Sequence, residues 1–218
     1  MQIQQIILNE DLFAEGVRVL SVRDAHLAEV VKKYGQPPLW IREPGFPTLI
    51  YIILEQQVSL ASARAAYNRL LQAVEPLTPR RFLKLTDTEL KTIGFSRQKT
   101  LYTRLLAEEI ANRRLDLKKL HASQDQDAHN RLTALKGIGN WTADIYLLSA
   151  LRRPDIWPVG DLALATAVQE VKRLRKRPSP EKLEKLSQPW KPWRAVAARL
   201  FWHAYLCKRG QNSATISL

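Results

Sequence analysis

The chain has 218 residues, with 34 Lys and Arg against 21 Asp and Glu, so its formal net charge is +13 at pH 7. Its 45% hydrophobic content argues against disorder, and its single cysteine, Cys207, excludes a disulfide framework, a four-cysteine zinc site and a cysteine-ligated iron–sulfur cluster. No apolar run approaches the roughly 20 residues that span a bilayer, and no signal-peptide pattern begins the chain. We therefore expect a reduced, soluble, intracellular protein with a polyanionic partner, most often nucleic acid.

Helix start and stop signals recur along the whole chain. Thr86 and Glu89 have capping-box spacing and Gly94 supplies a stop, which together predict a helix. The other predicted helices start at Asp24 (with a stop at Gly35), Pro47, Ser59, Ser96, Ser179 and Pro192 (ending near Gly210). Only Ile3 to Leu8 and Val17 to Val22 have patterns that we consider extended. The sequence therefore predicts an all-α fold of about ten helices.

The most informative stretch runs from Leu132 to Ala143 and reads Leu-Thr-Ala-Leu-Lys-Gly-Ile-Gly-Asn-Trp-Thr-Ala. It predicts two helical segments joined at Gly137 and Gly139, where glycine permits positive φ and close approach of another backbone. Outward-pointing N–H groups at the start of the second segment form an anion site, to which Thr142 can add a hydroxyl donor. Such a site binds phosphate without reading base sequence. The alternative is an ordinary tight turn between helices.

A basic run lies just before Pro178 and consists of Lys172, Arg173, Arg175, Lys176 and Arg177. Two interpretations of this run stay open, because a solvated loop and a phosphate-facing patch have the same composition. The last eight residues, 211–218, are predicted to be a frayed tail.

The hairpin resembles the helix-hairpin-helix element of the base-excision DNA glycosylases, the HhH-GPD superfamily. The similarity continues at Trp157-Pro158-Val159-Gly160-Asp161, which is a Gly/Pro-rich loop followed by an Asp about twenty residues past the hairpin. Phe46 to Ala63, containing Glu55-Gln56-Gln57-Val58-Ser59, and the segment Trp190-Lys191-Pro192-Trp193-Arg194 extend it. Together these segments resemble the alkylation-repair branch, the 3-methyladenine DNA glycosylase II type, over about residues 24 to 210.

This resemblance implies an architecture and a partner. It implies a single glycosylase domain over residues 1–218, with two helical lobes and a cleft between the lobes for the flipped base. The middle lobe would comprise about 46–155, and the second lobe about 1–45 plus 156–210. The implied partner is double-stranded DNA with a damaged base, bound by a monomer that contacts no membrane and works in the cytoplasm and nucleoid or in the nucleus.

Asp161 is the catalytic residue that the resemblance implies. Breaking an N-glycosidic bond builds positive charge on the sugar, and a nearby carboxylate stabilises that charge and orients water. A role as a helix N-cap alone is the alternative for this Asp. Bifunctional relatives carry a lysine where this chain has Trp141, so the implied enzyme hydrolyses the bond, leaves an abasic site and has no lyase activity.

The resemblance also implies a wedge and a base pocket. The wedge would fill the gap left by the flipped base, and its candidates are Gln57 and Val58. The base pocket would be aromatic, because a cationic alkylated base stacks well on electron-rich rings. Its candidates are Trp141, Trp157 and Trp202, three of the six tryptophans, and Tyr146.

The DNA phosphate would be bound at Gly137, Gly139, Trp141 and Thr142. No cofactor is expected to be required for the chemistry. A structural Na⁺ or K⁺ is implied at the backbone carbonyls of Thr133, Leu135 and Ile138, which leave no side-chain signature in the sequence. No iron–sulfur cluster is expected, in agreement with the solitary cysteine.

Two alternative functions stay open at this point. The first keeps the reaction and changes the substrate to an oxidised, deaminated or etheno-modified purine. The second is a non-catalytic helix-hairpin-helix module that binds DNA, which would explain the charge and the hairpin but not the spaced Asp161.

Overall fold

The computed structural model describes residues 5–211, and in that range it contains thirteen α-helices and one 3₁₀ turn but no β-strand. The helices are α1 (Glu10–Arg23), α2 (Ala25–Tyr34), α3 (Phe46–Glu55), α4 (Leu60–Ala73), α5 (Pro79–Phe82), α6 (Asp87–Ile93), α7 (Arg97–Ala111), α8 (Leu117–Ala122), α9 (Asp125–Thr133), α10 (Asn140–Ser149), α11 (Leu162–Val171), α12 (Pro180–Ser187) and α13 (Arg194–Lys208), with the 3₁₀ turn at Gln188–Trp190. The all-α prediction is therefore confirmed. Nearly all of the predicted tail, from residue 212 onward, lies outside the described residues.

The chain divides into two compact units. The middle unit is Glu43–Tyr146 and contains α3 to α9 with the first residues of α10. The terminal unit combines the chain up to Arg42 with the chain from Leu147 onward, so it contains α1, α2 and α11 to α13. None of the helices in the described range is long and apolar enough to cross a membrane.

Side-chain caps place the predicted helix starts where the sequence puts them. The Asp24 carboxylate accepts from the N–H groups of His26 and Leu27 at the start of α2, and Gly35 with φ +79 follows its last residue. At α6 the capping box of Thr86 and Glu89 forms in both directions. These starts are confirmed because each cap satisfies N–H groups that have no partner inside the helix.

Two expectations about local structure are wrong. Val17 to Val22 is helical, since it belongs to α1, whose buried residues Phe13, Val17 and Leu20 recur at helical spacing. The helix count exceeds the expected ten because short helices such as α5 and α8, of four and six residues, contain too few turns to show a periodicity. The described part of Ile3 to Leu8 forms no strand.

The core of the middle unit forms around α3 and a cluster of aromatic rings. Eight of the ten residues of α3 are buried, and Phe82 packs against both Phe46 and Phe95. Tyr146 is fully buried in this unit, where its hydroxyl accepts from the Gly45 N–H and contacts His121 Nε2. This packing holds α3 as a fixed support for the turn that follows it.

The core of the terminal unit forms around α13, which has eleven of its fifteen residues buried. Arg199 on this helix is completely buried, and its guanidinium donates to the carbonyl oxygens of Leu39, Leu148 and Ala195 at 2.7, 2.8 and 3.0 Å. Burial lowers the pKa of Arg199 to about 9. Since a buried guanidinium needs hydrogen-bond partners, its bonds to Leu39 and Leu148 fix α13 to the rest of the unit, while the bond to Ala195 lies within α13.

Candidate functional site

The hairpin lies in the loop of residues 134–139 between α9 and α10. Gly137 in this loop has φ +94, and a β-carbon on it would lie 2.1 Å from Cγ of Tyr102. Gly139 does not have positive φ, and a β-carbon there would meet no atom within 4 Å. Positive φ, which glycine permits at both positions, occurs at Gly137 and not at Gly139. Gly139 instead leaves the loop backbone open to a partner from outside.

The start of α10 presents two of the predicted phosphate-binding residues in different surroundings. Trp141 is half-buried. Thr142 is only 2% exposed, and its Oγ1 accepts from Nε2 of Gln56 at 2.9 Å. Thr142 therefore lies behind the hairpin loop and not on its surface, so we do not carry forward the expectation that its hydroxyl meets a phosphate. Lys136, which the sequence reasoning missed, is exposed in the loop directly before Gly137.

The turn between α3 and α4 holds both wedge candidates. Gln57 is exposed with φ +58, a conformation that is uncommon outside glycine, and Val58 is 46% exposed. Gln56 directs its side chain in the opposite sense, into the unit, where Nε2 donates to the Gly137 oxygen at 3.0 Å. Sequence reasoning missed this role of Gln56 because the two residues are 81 positions apart.

A groove of about 860 Å³ runs along this part of the middle unit. The α3–α4 turn, the hairpin loop and the start of α7 form its walls. Lys99 of α7 lines the groove and donates to the Leu54 oxygen at 2.6 Å, and burial lowers the pKa of its ammonium group. The three carbonyl-bearing residues predicted to hold a cation, Thr133, Leu135 and Ile138, line the same groove. The N–H of Ile138 donates to the Leu135 oxygen at 3.1 Å.

Asp161 lies in the terminal unit, at the N-terminus of α11. Its Oδ1 accepts from the Leu164 N–H at 2.6 Å and from Nε1 of Trp202 at 3.1 Å. The preceding loop turns tightly, since the Asp161 N–H donates to the Pro158 oxygen at 3.0 Å. The structure thus brings Asp161 and Trp202 together, and two donors fix the direction of a half-buried carboxylate.

The remaining pocket candidates are core residues of their units. Trp157 is 5% exposed and packs against Trp190 and Phe201, with ring centroids 5.2 and 6.2 Å away. Tyr146 has no exposed surface, and both sides of its hydroxyl are occupied as described above. Neither ring has surface available for stacking on a base. Trp202 is also 5% exposed, but its indole edge reaches Asp161.

Metal-binding side chains do not cluster in the described range. Within residues 5–211, no group of three or more His, Cys, Asp or Glu is arranged to hold a metal ion. His129 of α9 lies with Nε2 3.4 Å from Oδ1 of Asp144 on α10, and burial lowers the pKa of His129. This pair connects the two hairpin helices.

Comparison with known proteins shows which sequences this chain is similar to. The chain is 27% identical over 169 residues to the DNA-3-methyladenine glycosylase of Bacillus subtilis, a match that covers 72% of this chain and 56% of that relative. The chain thus spans little more than half the length of that relative. It is 28% identical over 200 residues to the alkylbase DNA glycosidase-like protein mag2 of Schizosaccharomyces pombe, covering 88% of this chain and 94% of the relative.

A solved structure and a family model agree with these relatives. The structure of the S. pombe 3-methyladenine DNA glycosylase Mag1 in complex with abasic DNA superimposes with a TM-score of 0.77 at 26% identity, covering 86% of this chain and 95% of that one. The model of the HhH-GPD superfamily of base excision DNA repair proteins matches residues 50–192, which include the α3–α4 turn, the hairpin and Asp161. The chain therefore belongs to the HhH-GPD superfamily of base excision DNA repair proteins.

Proposed function

We propose that the chain is a monofunctional DNA glycosylase that removes alkylated purines such as 3-methyladenine from double-stranded DNA and leaves an abasic site. The observation that carries this proposal is the Asp161 carboxylate, held by Leu164 N–H and Trp202 Nε1 in a chain with the family's hairpin. The names of the B. subtilis and S. pombe relatives support the alkylated substrate. We further propose that the protein acts as a monomer on DNA inside the cell.

Asp161 would act on the sugar. As the N-glycosidic bond breaks, the sugar gains oxocarbenium character, which a carboxylate beside it stabilises. The same carboxylate can orient a water molecule and accept its proton as the water attacks. Two hydrogen bonds to Oδ1 hold the carboxylate before the substrate arrives, so little reorganisation is needed. A methylated, cationic base is already a good leaving group, and no strong general acid is required.

The hairpin would bind phosphate without reading sequence. The N–H groups at the start of α10 point out of the helix, and Gly139 leaves room for a phosphate to approach the backbone. Lys136 adds a positive charge beside them.

The exposed Gln57 and Val58 would enter the duplex at the gap that the flipped nucleotide leaves. Trp141 and Trp202 remain the proposed aromatic residues of the base pocket, whereas Tyr146 and Trp157 are left to packing.

A structural monovalent cation at Thr133, Leu135 and Ile138 remains part of the proposal. The donor set fits such an ion, because neutral carbonyl oxygens from the end of α9 and the loop after it suit a weakly charged hard cation. These residues line the groove beside Gly137. When bound, the ion would supply positive charge near the phosphate and hold the loop in shape, and the hydrolysis itself would not require it.

The decisive experiment is an abasic-site assay on methylated DNA with the wild type and Asp161→Asn. Asparagine keeps an oxygen for Leu164 and Trp202 but has no negative charge, so we expect base release to fall by roughly 10²-fold or more. Binding to undamaged duplex should stay within about twofold, since the hairpin supplies the phosphate contacts. Equal activity of the two proteins would contradict the mechanism.

A panel of lesion-bearing duplexes tests the substrate. We expect release of 3-methyladenine and 7-methylguanine. Release of only 8-oxoguanine, hypoxanthine or ethenoadenine would move the assignment to oxidised, deaminated or etheno-modified purines. A wild type that binds every duplex and releases no base would be a DNA-binding module.

A further inference from the structure

Gln56 connects two segments of the middle unit that the proposed function uses separately. Its backbone lies in the α3–α4 turn, directly before Gln57. Its side-chain Nε2 donates to the Gly137 oxygen at 3.0 Å and to Thr142 Oγ1 at 2.9 Å. One amide group therefore uses both of its N–H donors on the hairpin, one on the loop and one on α10.

The turn itself is held in an unfavourable conformation. Gln57 has φ +58, and a left-handed conformation is unfavourable for a non-glycine residue. Such strain persists only where the surroundings fix the backbone. Lys99 Nζ, bonded to the Leu54 oxygen, fixes the end of α3, and the Ser59 hydroxyl accepts from the Ser62 N–H to start α4. These two contacts hold the flanking helices, while Gln56 ties the turn to the hairpin.

We infer that Gln56 is a positioning residue that sets the distance between the wedge turn and the phosphate-binding loop. This inference rests on the proposed function, in which the hairpin holds one phosphate and Gln57 or Val58 enters the duplex. Because the side chain of Gln56 joins the turn to the loop, entry of the wedge depends on where the hairpin binds the phosphate. The wedge can enter the duplex only at a fixed distance from that phosphate. Misplacement of a group by about 1 Å in such an arrangement can cost roughly 10²-fold in rate.

The surroundings of the Gly137 oxygen explain why a hydrogen-bond donor is required at position 56. Gly137 lies close against the Tyr102 ring, since a β-carbon on it would be 2.1 Å from Cγ of that ring, so this part of the loop has little room to move toward the ring. Without the amide of Gln56, that oxygen and Thr142 Oγ1 would both lose this donor, and Thr142 is only 2% exposed, so solvent could not readily replace the donor there. Removing a partner in this way is costlier than never having formed the bond.

The test compares Gln56→Met with the matched control Gln126→Met. Methionine keeps the length of the side chain and removes the donor without adding charge near DNA. Gln126 is a glutamine of the same unit, exposed on α9, where its Nε2 donates to Asn130 Oδ1 at 2.9 Å. The substrates are two duplexes with a single 7-methylguanine, one with the lesion paired to cytosine and one with it opposite an abasic-site analogue. Single-turnover base release and the fluorescence of a neighbouring 2-aminopurine are measured on both.

On the paired lesion, we expect Gln56→Met to lower base release about tenfold and to reduce the 2-aminopurine signal. On the unpaired lesion, which needs little wedging, we expect a loss of about twofold or less. Gln126→Met should match the wild type on both duplexes. Equal losses on the two duplexes would identify Gln56 as merely structural, and no loss on the paired lesion would also overturn the inference.

Thr142→Val is a second, independent variant. It removes the hydroxyl that accepts one of the two hydrogen bonds from Gln56. We expect a smaller loss on the paired lesion than for Gln56→Met, because Thr142→Val removes only one of the two contacts of Gln56. A double variant should be no worse than Gln56→Met alone, because Gln56→Met already lacks the contact that Thr142→Val breaks. Additive losses would overturn the inference. A wild type that releases no base from either duplex would instead refute the proposed function. The 2-aminopurine signal would still test Gln56 in that case, since extrusion does not require hydrolysis.

Discussion

Gly137 and Gly139 lie in the same loop, but the absence of a side chain matters for different reasons at the two positions. Gly137 faces inward, where a side chain would collide with the Tyr102 ring, and its φ of +94 is unfavourable for other residues. Gly139 faces outward into open space with an ordinary φ. The first glycine is therefore needed by the fold of the loop, and the second by whatever approaches the loop.

This difference predicts that two substitutions separate stability from binding. Gly137→Ala should lower the free energy of unfolding by roughly 2 to 4 kcal/mol, since it combines strained φ with a clash in packed surroundings. Gly139→Leu should leave thermal stability nearly unchanged and weaken binding to damaged and undamaged duplexes alike. Thermal melts and duplex titrations of both variants check this. A stable Gly137→Ala variant, or a Gly139→Leu variant weakened only on damaged DNA, would contradict it.

Residues whose role depends on a distant partner are the least predictable from sequence. Asp161 is implied by the resemblance at a Gly/Pro-rich loop before a helix start, and in the structure its side chain caps α11. Tyr146 is expected in the base pocket and is instead packed in the core, because position along a helix does not reveal what a side chain faces when the helix is buried on nearly every side. The role of Gln56 has no local signal, since its partner lies 81 residues away.

At the scale of secondary-structure elements, capping residues predict most helix starts, whereas hydrophobic periodicity predicts the elements less well. Thr86 with Glu89 and Ser96 with Lys99 are local signals within one turn of chain, and both form in the structure. Val17 to Val22 resembles a strand in the sequence because a short run of apolar residues fits both periods. Packing of α1 in the terminal unit decides between the two, and that information is not local.

The second helix of the hairpin gives a prediction about reaction type. The family resemblance implies that Trp141 in α10 stands at the position of the lysine of bifunctional glycosylases, and an indole cannot form a Schiff base with an abasic sugar. We expect that borohydride added during turnover traps no covalent protein–DNA adduct and that the strand at the abasic site stays intact. Denaturing gels with labelled duplex check both points, with a known bifunctional glycosylase as the positive control. A trapped adduct would show that another amine performs lyase chemistry.

At the scale of the whole molecule, charge is the dominant feature, and part of it is neutralised internally. Lys172 of the basic run is paired with Asp24 at 2.6 Å, and Arg173 with Glu29 at 3.0 Å. The remaining three basic residues of the run, Arg175, Lys176 and Arg177, are exposed. These pairs join opposite charges and leave the formal net charge at +13, which favours attraction to DNA in general.

Because phosphate contacts carry no lesion information, the salt dependence of binding should be the same for damaged and undamaged duplex. We expect affinity to fall linearly in a plot of log affinity against log salt, with equal slopes for a methylated and an unmethylated duplex. Fluorescence anisotropy with Asp161→Asn, which does not consume the substrate, measures both slopes. Unequal slopes would mean that the charge contributes to lesion recognition.

The same titration decides the open question about the basic run. If the run faces DNA, replacing Arg175, Lys176 and Arg177 with glutamine makes the slope shallower by about 0.9 for each phosphate that the protein then leaves unneutralised. An unchanged slope identifies a solvated loop.

The terminal unit is assembled from both ends of the chain, and this has a consequence for the order of synthesis. The Leu8 N–H donates to the Arg152 oxygen, and Arg199 of α13 donates to the Leu39 oxygen. A ribosome therefore releases the first segment of this unit long before its partners exist, while the contiguous middle unit can complete its core in the interval. The segment that holds Asp161 forms its last contacts only when α13 emerges. A message truncated before that helix would yield a hairpin together with an Asp161 that lacks its Trp202 donor.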